Sequence, residues 1–197
     1  MMKRQFLLCI LLIFNFTIPP NYAQNVRNFP IENLSIEHGL SNAKINCILQ
    51  DSRGFIWIGT SNGLNRYDGQ EFKVFTHHPG DSISIPSSWI MCLFEDRNNV
   101  LWVGTDNGLC RFDRARESFD RFAVNHDKPA SLSEPRIRDI CETAADTNAL
   151  WVAIQVGERA TIGGLHRFDL ETNKITAFQY NPRDGPLNKF VLTYYVR

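Results

Sequence analysis

The chain has little of what nucleic-acid or membrane-surface proteins need. Its 21 Lys and Arg balance 21 Asp and Glu, giving a formal net charge of +0, and neither sign is concentrated in a block. A duplex or an anionic lipid surface calls for a basic patch, so neither is an expected partner. No Cys-x-x-Cys occurs, and His77, His78, His126 and His166 fall at no metal-ligand spacing. No nucleophile stands beside an evident base, and no pair of acids has a context suited to glycoside cleavage. Neither a catalytic residue nor a metal or cofactor site is expected. No apolar run reaches the roughly 20 residues of a spanning helix.

One apolar run does stand out. It covers Phe6–Ile18, broken only by Asn15 and Thr17, behind Lys3-Arg4 and before Pro19-Pro20. A basic start, a short apolar stretch and a small residue are the marks of a secretory signal. Residues 1–23 are therefore expected to be removed after Ala23, leaving an exported chain. Cys47, Cys92, Cys110 and Cys141 would remain. Cys47 and Cys92 occupy one place in successive copies of a repeat, so they should point the same way rather than at each other. They read as small buried hydrophobes without disulfides.

The repeat carries the most information. Residues 45–68 read INCILQDSRGFIWIGTSNGLNRYD and residues 90–113 read IMCLFEDRNNVLWVGTDNGLCRFD. Asp51/Asp96, Trp57/Trp102, Gly59/Gly104, Gly63/Gly108 and Asp68/Asp113 recur 45 residues apart. A looser third copy keeps Trp151 and Asp169 but has Ala153-Ile154 in place of Gly-Thr. A period in the forties with a Gly-rich turn and one Trp per copy signals β-propeller blades. Phe55–Ile58 shows no polar alternation, so that strand must be covered on both faces, as a blade is by its neighbours. Asn62-Gly63 suits a tight hairpin, and Asp51-Ser52-Arg53-Gly54 a capped turn.

The fold is therefore read as all-β: an open arc of about three four-stranded blades from a larger, seven-bladed propeller. The divisions are a signal peptide (1–23), an N-terminal segment with a ring-closing strand (24–44), blades at 45–89, 90–136 and 137–189, and the start of a fourth blade at 190–197. Closed propellers use 4 to 8 blades, so the chain reads as a fragment or a truncated reading frame. The ring-closing strand is placed at Asn28–Ile36.

Gly39-Leu40-Ser41-Asn42, Ile48–Thr60 and Asn62–Gly69 closely resemble the two-component regulator propeller repeat. The resemblance implies the periplasmic sensor of a hybrid two-component system, its parent anchored in the inner membrane and homodimeric. It implies an oligosaccharide ligand, regulation of polysaccharide utilisation, and association with the remaining blades and domains of the parent sensor. The chain lacks kinase motifs, so it is not expected to be an enzyme itself. Two alternatives stand beside this reading: a propeller lyase or glycosidase, and a plain interaction scaffold.

Residues present in every copy answer a need present in every copy. Trp57, Trp102 and Trp151 could stack on a sugar, but their recurrence argues that they fill the space between blades. What varies is the loop from the fourth strand of one blade to the first of the next, with the lengthened turn Val156–Gly163 on the same face. Binding groups concentrate on loops held by a rigid scaffold. The ligand-binding candidates are therefore His77, His78, Trp89, His126, Arg136, Glu158 and Arg159. The same loops could instead only pack against the rest of the parent. The recurring Arg-aromatic-Asp of 66–68, 111–113 and 167–169 is expected to form surface or inter-blade ion pairs.

Overall fold

The computed structural model describes residues 33–122, 136–155 and 164–178. The signal segment, most of the expected ring-closing strand, the start of the fourth blade, and the candidates His126, Glu158 and Arg159 lie outside them.

Among the described residues twelve strands form three four-stranded antiparallel sheets, each in simple chain order. The first sheet comprises β1 (Ile45–Gln50), β2 (Ile56–Thr60), β3 (Gly63–Tyr67) and β4 (Phe72–Phe75). The second comprises β5 (Ile90–Glu95), β6 (Leu101–Thr105), β7 (Gly108–Asp113) and β8 (Ser118–Phe122). The third comprises β9 (Ile137–Glu142), β10 (Ala149–Ile154), β11 (Leu165–Asp169) and β12 (Ile175–Phe178). The hairpin glycine takes the backbone angle its turn requires, with φ of 135° at Gly63 and 121° at Gly108.

The sheets stack as wedges. The first strands lie close together, β5 touching both β1 and β9, whereas the last strands β4, β8 and β12 make no comparable contact between sheets. Successive sheets that converge at one edge and splay at the other are an open propeller arc.

Each seam between sheets is an apolar core. The first holds Trp57, Leu64, Ile85, Ile90, Leu101, Val103, Cys110, Phe112 and Phe119. The second holds Trp102, Leu109, Ile137, Ile140, Leu150, Val152 and Phe168 among others. Trp57 meets Phe112 of the next sheet edge-on at 5.0 Å, and Trp102 meets Phe168 likewise at 5.2 Å. Each tryptophan thus packs onto the sheet that follows it. Trp151, on the outward side of the third sheet, is only half-buried.

The recurring glycine in the second strand has a steric cause. A Cβ on Gly59 would lie 2.6 Å from Ile90 Cγ2, and one on Gly104 would lie 2.7 Å from Ile137 Cγ2. The first residue of β5 and of β9 therefore fills a hollow that only glycine leaves open, beside the thiol of Cys47 or Cys92.

A polar latch repeats along the seams. Ser52 donates its backbone N–H to Glu95 Oε2 at 2.7 Å and its hydroxyl to Oε1 at 2.9 Å. One sheet later Arg97 donates to Glu142 Oε2 from its backbone N–H at 3.3 Å and from Nε at 3.1 Å.

One expectation needs correction. The segment before β1 was expected to be extended through Ile36, but Ile36–His38 is a single 3-10 turn. Ser35 caps it, its side chain accepting from Glu37 N, and Gly39 ends it at φ 102°. The Arg-aromatic-Asp motif does form surface and inter-blade ion pairs, but it pairs within itself only in the third copy, where Arg167 Nη1 is 3.1 Å from Asp169 Oδ2. Asp68 and Asp113 instead accept backbone N–H groups of their own turns, from Gln70 and Glu71 and from Ala115 and Arg116. This frees Arg66 to reach Glu117 of the second sheet, at 3.0 Å.

Candidate ligand-binding face

The face that carries the connections from one blade to the next is built by a repeated backbone contact. Ser61 N–H donates to Lys44 O at 3.1 Å, Asp106 N–H to Trp89 O at 3.2 Å, and Gln155 N–H to Arg136 O at 2.8 Å. Each contact ties the hairpin after a blade's second strand to the residue just before its first strand. The two kinds of loop therefore share one face, and Lys44, Trp89 and Arg136 hold equivalent places in successive blades. All three side chains are exposed, Trp89 by 44 %. Lys44 Nζ stands 5.3 Å from the centre of the Trp89 ring, within reach of its negative π-face.

His77 and His78 lie at the other end of the same loop, next to the outer strand β4. His77 is half-buried, and its Nδ1 donates to Ile85 O at 2.9 Å while its backbone N–H donates to Ser88 Oγ. That ring holds the loop in shape. His78 is exposed and lines a cavity of about 180 Å³ together with Thr76, Asp81, Ile83, Arg116, Glu117 and Phe119. Trp89 and Arg136 thus belong together at the inner strands, while His78 belongs to a separate hollow near the rim.

The loop is tied down by a residue that the sequence did not single out. Arg121 of β8 donates from Nε to Ser84 O at 2.6 Å, and from Nη2 to Asp81 O at 2.6 Å and Ser84 Oγ at 2.7 Å. Nothing in an Arg-Phe dipeptide announces this, because its partners are carbonyls placed by the loop's own path. Lys44 was also missed. It carries no motif, and only its register with Trp89 and Arg136 marks it.

Among the described residues no three His, Cys, Asp or Glu gather as a metal site. Burial pushes the Cys47 thiol up to about 12 and raises those of Cys92 and Cys110, so none is a ready thiolate. Burial pushes the Asp51 carboxyl up too. The Trp57 indole and the Arg114 guanidinium outweigh it and hold the group below the ordinary carboxylate value. Asp51 therefore stays ionised as a structural anion.

Comparison with known proteins bears on the fold. The model of a family described as two component regulator propeller matches residues 39–62 and 84–107. A curated histidine kinase of Formosa agariphila is 39 % identical over 74 residues, 38 % of this chain and 5 % of that protein. The extracellular domain of a hybrid two-component system from B. thetaiotaomicron is 28 % identical with a TM-score of 0.66, covering 75 % of this chain and 20 % of that one. The extracellular domain of a one-component system from the same organism, 21 % identical with a TM-score of 0.58, shares the fold, covering 78 % of this chain and 21 % of that one. The chain therefore spans about a fifth of those structures. On these findings the chain carries two copies of the two-component regulator propeller repeat, at residues 39–62 and 84–107, on a fold shared with the extracellular domain of a hybrid two-component system.

Proposed function

We propose that this chain works as an exported, non-catalytic ligand-sensing module of a hybrid two-component system. Its ligand is a glycan fragment, and its output is control of polysaccharide utilisation through a membrane-anchored, homodimeric parent. The observation that carries the reading is the likeness to the extracellular domain of a hybrid two-component system, at 28 % identity and a TM-score of 0.66. The loop face supports it: an exposed aromatic with polar neighbours, presented by stacked rigid sheets, suits a sugar ring better than it suits bond cleavage.

The test is calorimetric titration of the protein, purified at the length its own cells make, with a panel of oligosaccharides. Transcription of sugar-utilisation genes is followed in parallel in a strain lacking the gene. Binding without turnover, with loss of induction in the deletion strain, is expected. Release of new sugar ends by the purified protein would replace this reading with the lyase or glycosidase one. Failure of every saccharide to bind would favour an interaction scaffold.

A further inference from the structure

The three positions that open the inner strands differ in a way that the scaffold does not demand. The same backbone contact holds each of them, yet they carry Lys44, Trp89 and Arg136. Packing needs produce recurrence, as at Trp57 and Trp102. Three different polar or aromatic groups at one exposed, structurally equivalent place point to a surface shaped for something outside the fold.

Their chemistry is specific. Trp89 offers a broad apolar face, 44 % exposed, of the kind that the C–H face of a sugar covers. Lys44 reaches the ring at 5.3 Å from the preceding blade. The blade-to-blade step that brings Lys44 to Trp89 brings Trp89 to the position of Arg136. The exposed Arg138 follows two residues on, with Nη2 hydrogen-bonded to Gln155 Oε1. The carboxylates of the same stretches are those of Asp106, whose backbone N–H donates to the Trp89 carbonyl, and Asp139, whose Oδ1 accepts from Ile140 N–H at 2.9 Å. Three cations and two carboxylates thus lie along the inner-strand mouth, with Lys44 held at the Trp89 ring.

We infer that this mouth of the inner strands binds an acidic oligosaccharide. One ring stacks on Trp89, and its carboxylate or sulfate groups are met by Lys44 and Arg136. The inference rests on the glycan-sensing reading above and narrows it to anionic glycans. All three side chains are exposed, so they can be changed without disturbing the seams.

The experiment titrates the protein, at its natural length, with three probes: an oligogalacturonate, a sulfated gluco-oligosaccharide and an uncharged gluco-oligosaccharide. Binding of at least one acidic probe, about tenfold or more tighter than the uncharged one and weakened by added salt, is expected. Which acidic probe binds tells a carboxylate ligand from a sulfate ester. Trp89→Ala should weaken binding about tenfold. Lys44→Met with Arg136→Met should remove the salt dependence, Lys44→Arg should keep it, and all variants should keep the parent melting temperature. An uncharged probe that binds as tightly as the acidic ones overturns this inference and leaves the glycan reading intact. Acidic binding unaffected by either Trp89→Ala or the double methionine variant also overturns it. No binding by any probe defeats both readings.

Discussion

Trp57 donates its indole N–H to Asp51 Oδ2 at 2.8 Å, and the same carboxylate oxygen accepts from Arg114 Nη1 of the next blade at 2.7 Å. The other oxygen, Oδ1, accepts from the backbone N–H groups of Arg53 and Phe55, both at 3.0 Å. One side chain closes a turn, orients the large ring in the seam and binds across it. Asp96 repeats the turn and the bond to Trp102, at 2.8 Å. Its copy has no arginine partner, because Leu170 stands where Arg114 does.

That asymmetry gives the first prediction. Asp51→Asn leaves Arg114 facing a neutral amide, with Glu95 as its remaining carboxylate partner at 2.9 Å. Asp96→Asn loses no ion pair. Urea unfolding of the natural-length protein should show Asp51→Asn to be more costly by about 1–2 kcal/mol. Equal costs would mean that Arg114 contributes nothing through Asp51.

The seam tryptophans give the second. Trp57→Ala or Trp102→Ala should destabilise by about 3–5 kcal/mol, since both rings are fully buried. Trp151→Ala, from a half-buried site, should cost less. Saccharide affinity, measured on protein that remains folded, should not change in the first two variants. A variant with full thermal stability and lost binding would refute the packing role.

Gly104→Ala is the third. The added carbon would sit 2.7 Å from Ile137 Cγ2, closer than packed atoms tolerate. A cost of about 1–3 kcal/mol is expected. Combining it with Ile137→Ala should cost less than the two changes summed. Strict additivity in denaturant titrations would show that the two residues do not compete for the hollow.

His166 supplies a pH dependence. Its ring is fully buried, and that burial lowers its pKa below the ordinary 6.5. The unfolded chain therefore takes up a proton in a range where the folded one does not. Stability is full above about 6.5 and falls as pH drops through the folded value. His166→Asn, which places there the residue that the first blade has as Asn65, should flatten that part of the profile. Melting curves across mildly acidic pH that coincide for both proteins would count against this.

The fold was legible because blades repeat. Asp51, Trp57 and Gly59 recur at 45 residues as Asp96, Trp102 and Gly104, and the strands follow that register in three sheets. The site was legible only in part. Trp89 and Arg136 were found by asking which loops vary, but their equivalence with Lys44 is a property of backbone register. It emerges only when Ser61, Asp106 and Gln155 are seen to make one contact three times. His77 illustrates the opposite failure. A histidine in a variable loop looks like a ligand, whereas its Nδ1 is committed to the carbonyl of Ile85. The partners of Arg66 and Arg121 were illegible for the same reason: both reach groups brought near by stacking or loop path, 51 and 37 residues away.

The third blade breaks the hollow that the first two share. Ala153 stands where Gly59 and Gly104 do, and its cross-strand partner is Asp139, where they face Cys47 and Cys92. A strand opening with isoleucine, as β1, β5 and β9 all do, would meet a methyl group and a carboxylate instead of a hydrogen and a thiol. The substitution closes the hollow that Gly59 and Gly104 leave open, so a strand that packs on β10 must do so through a different contact.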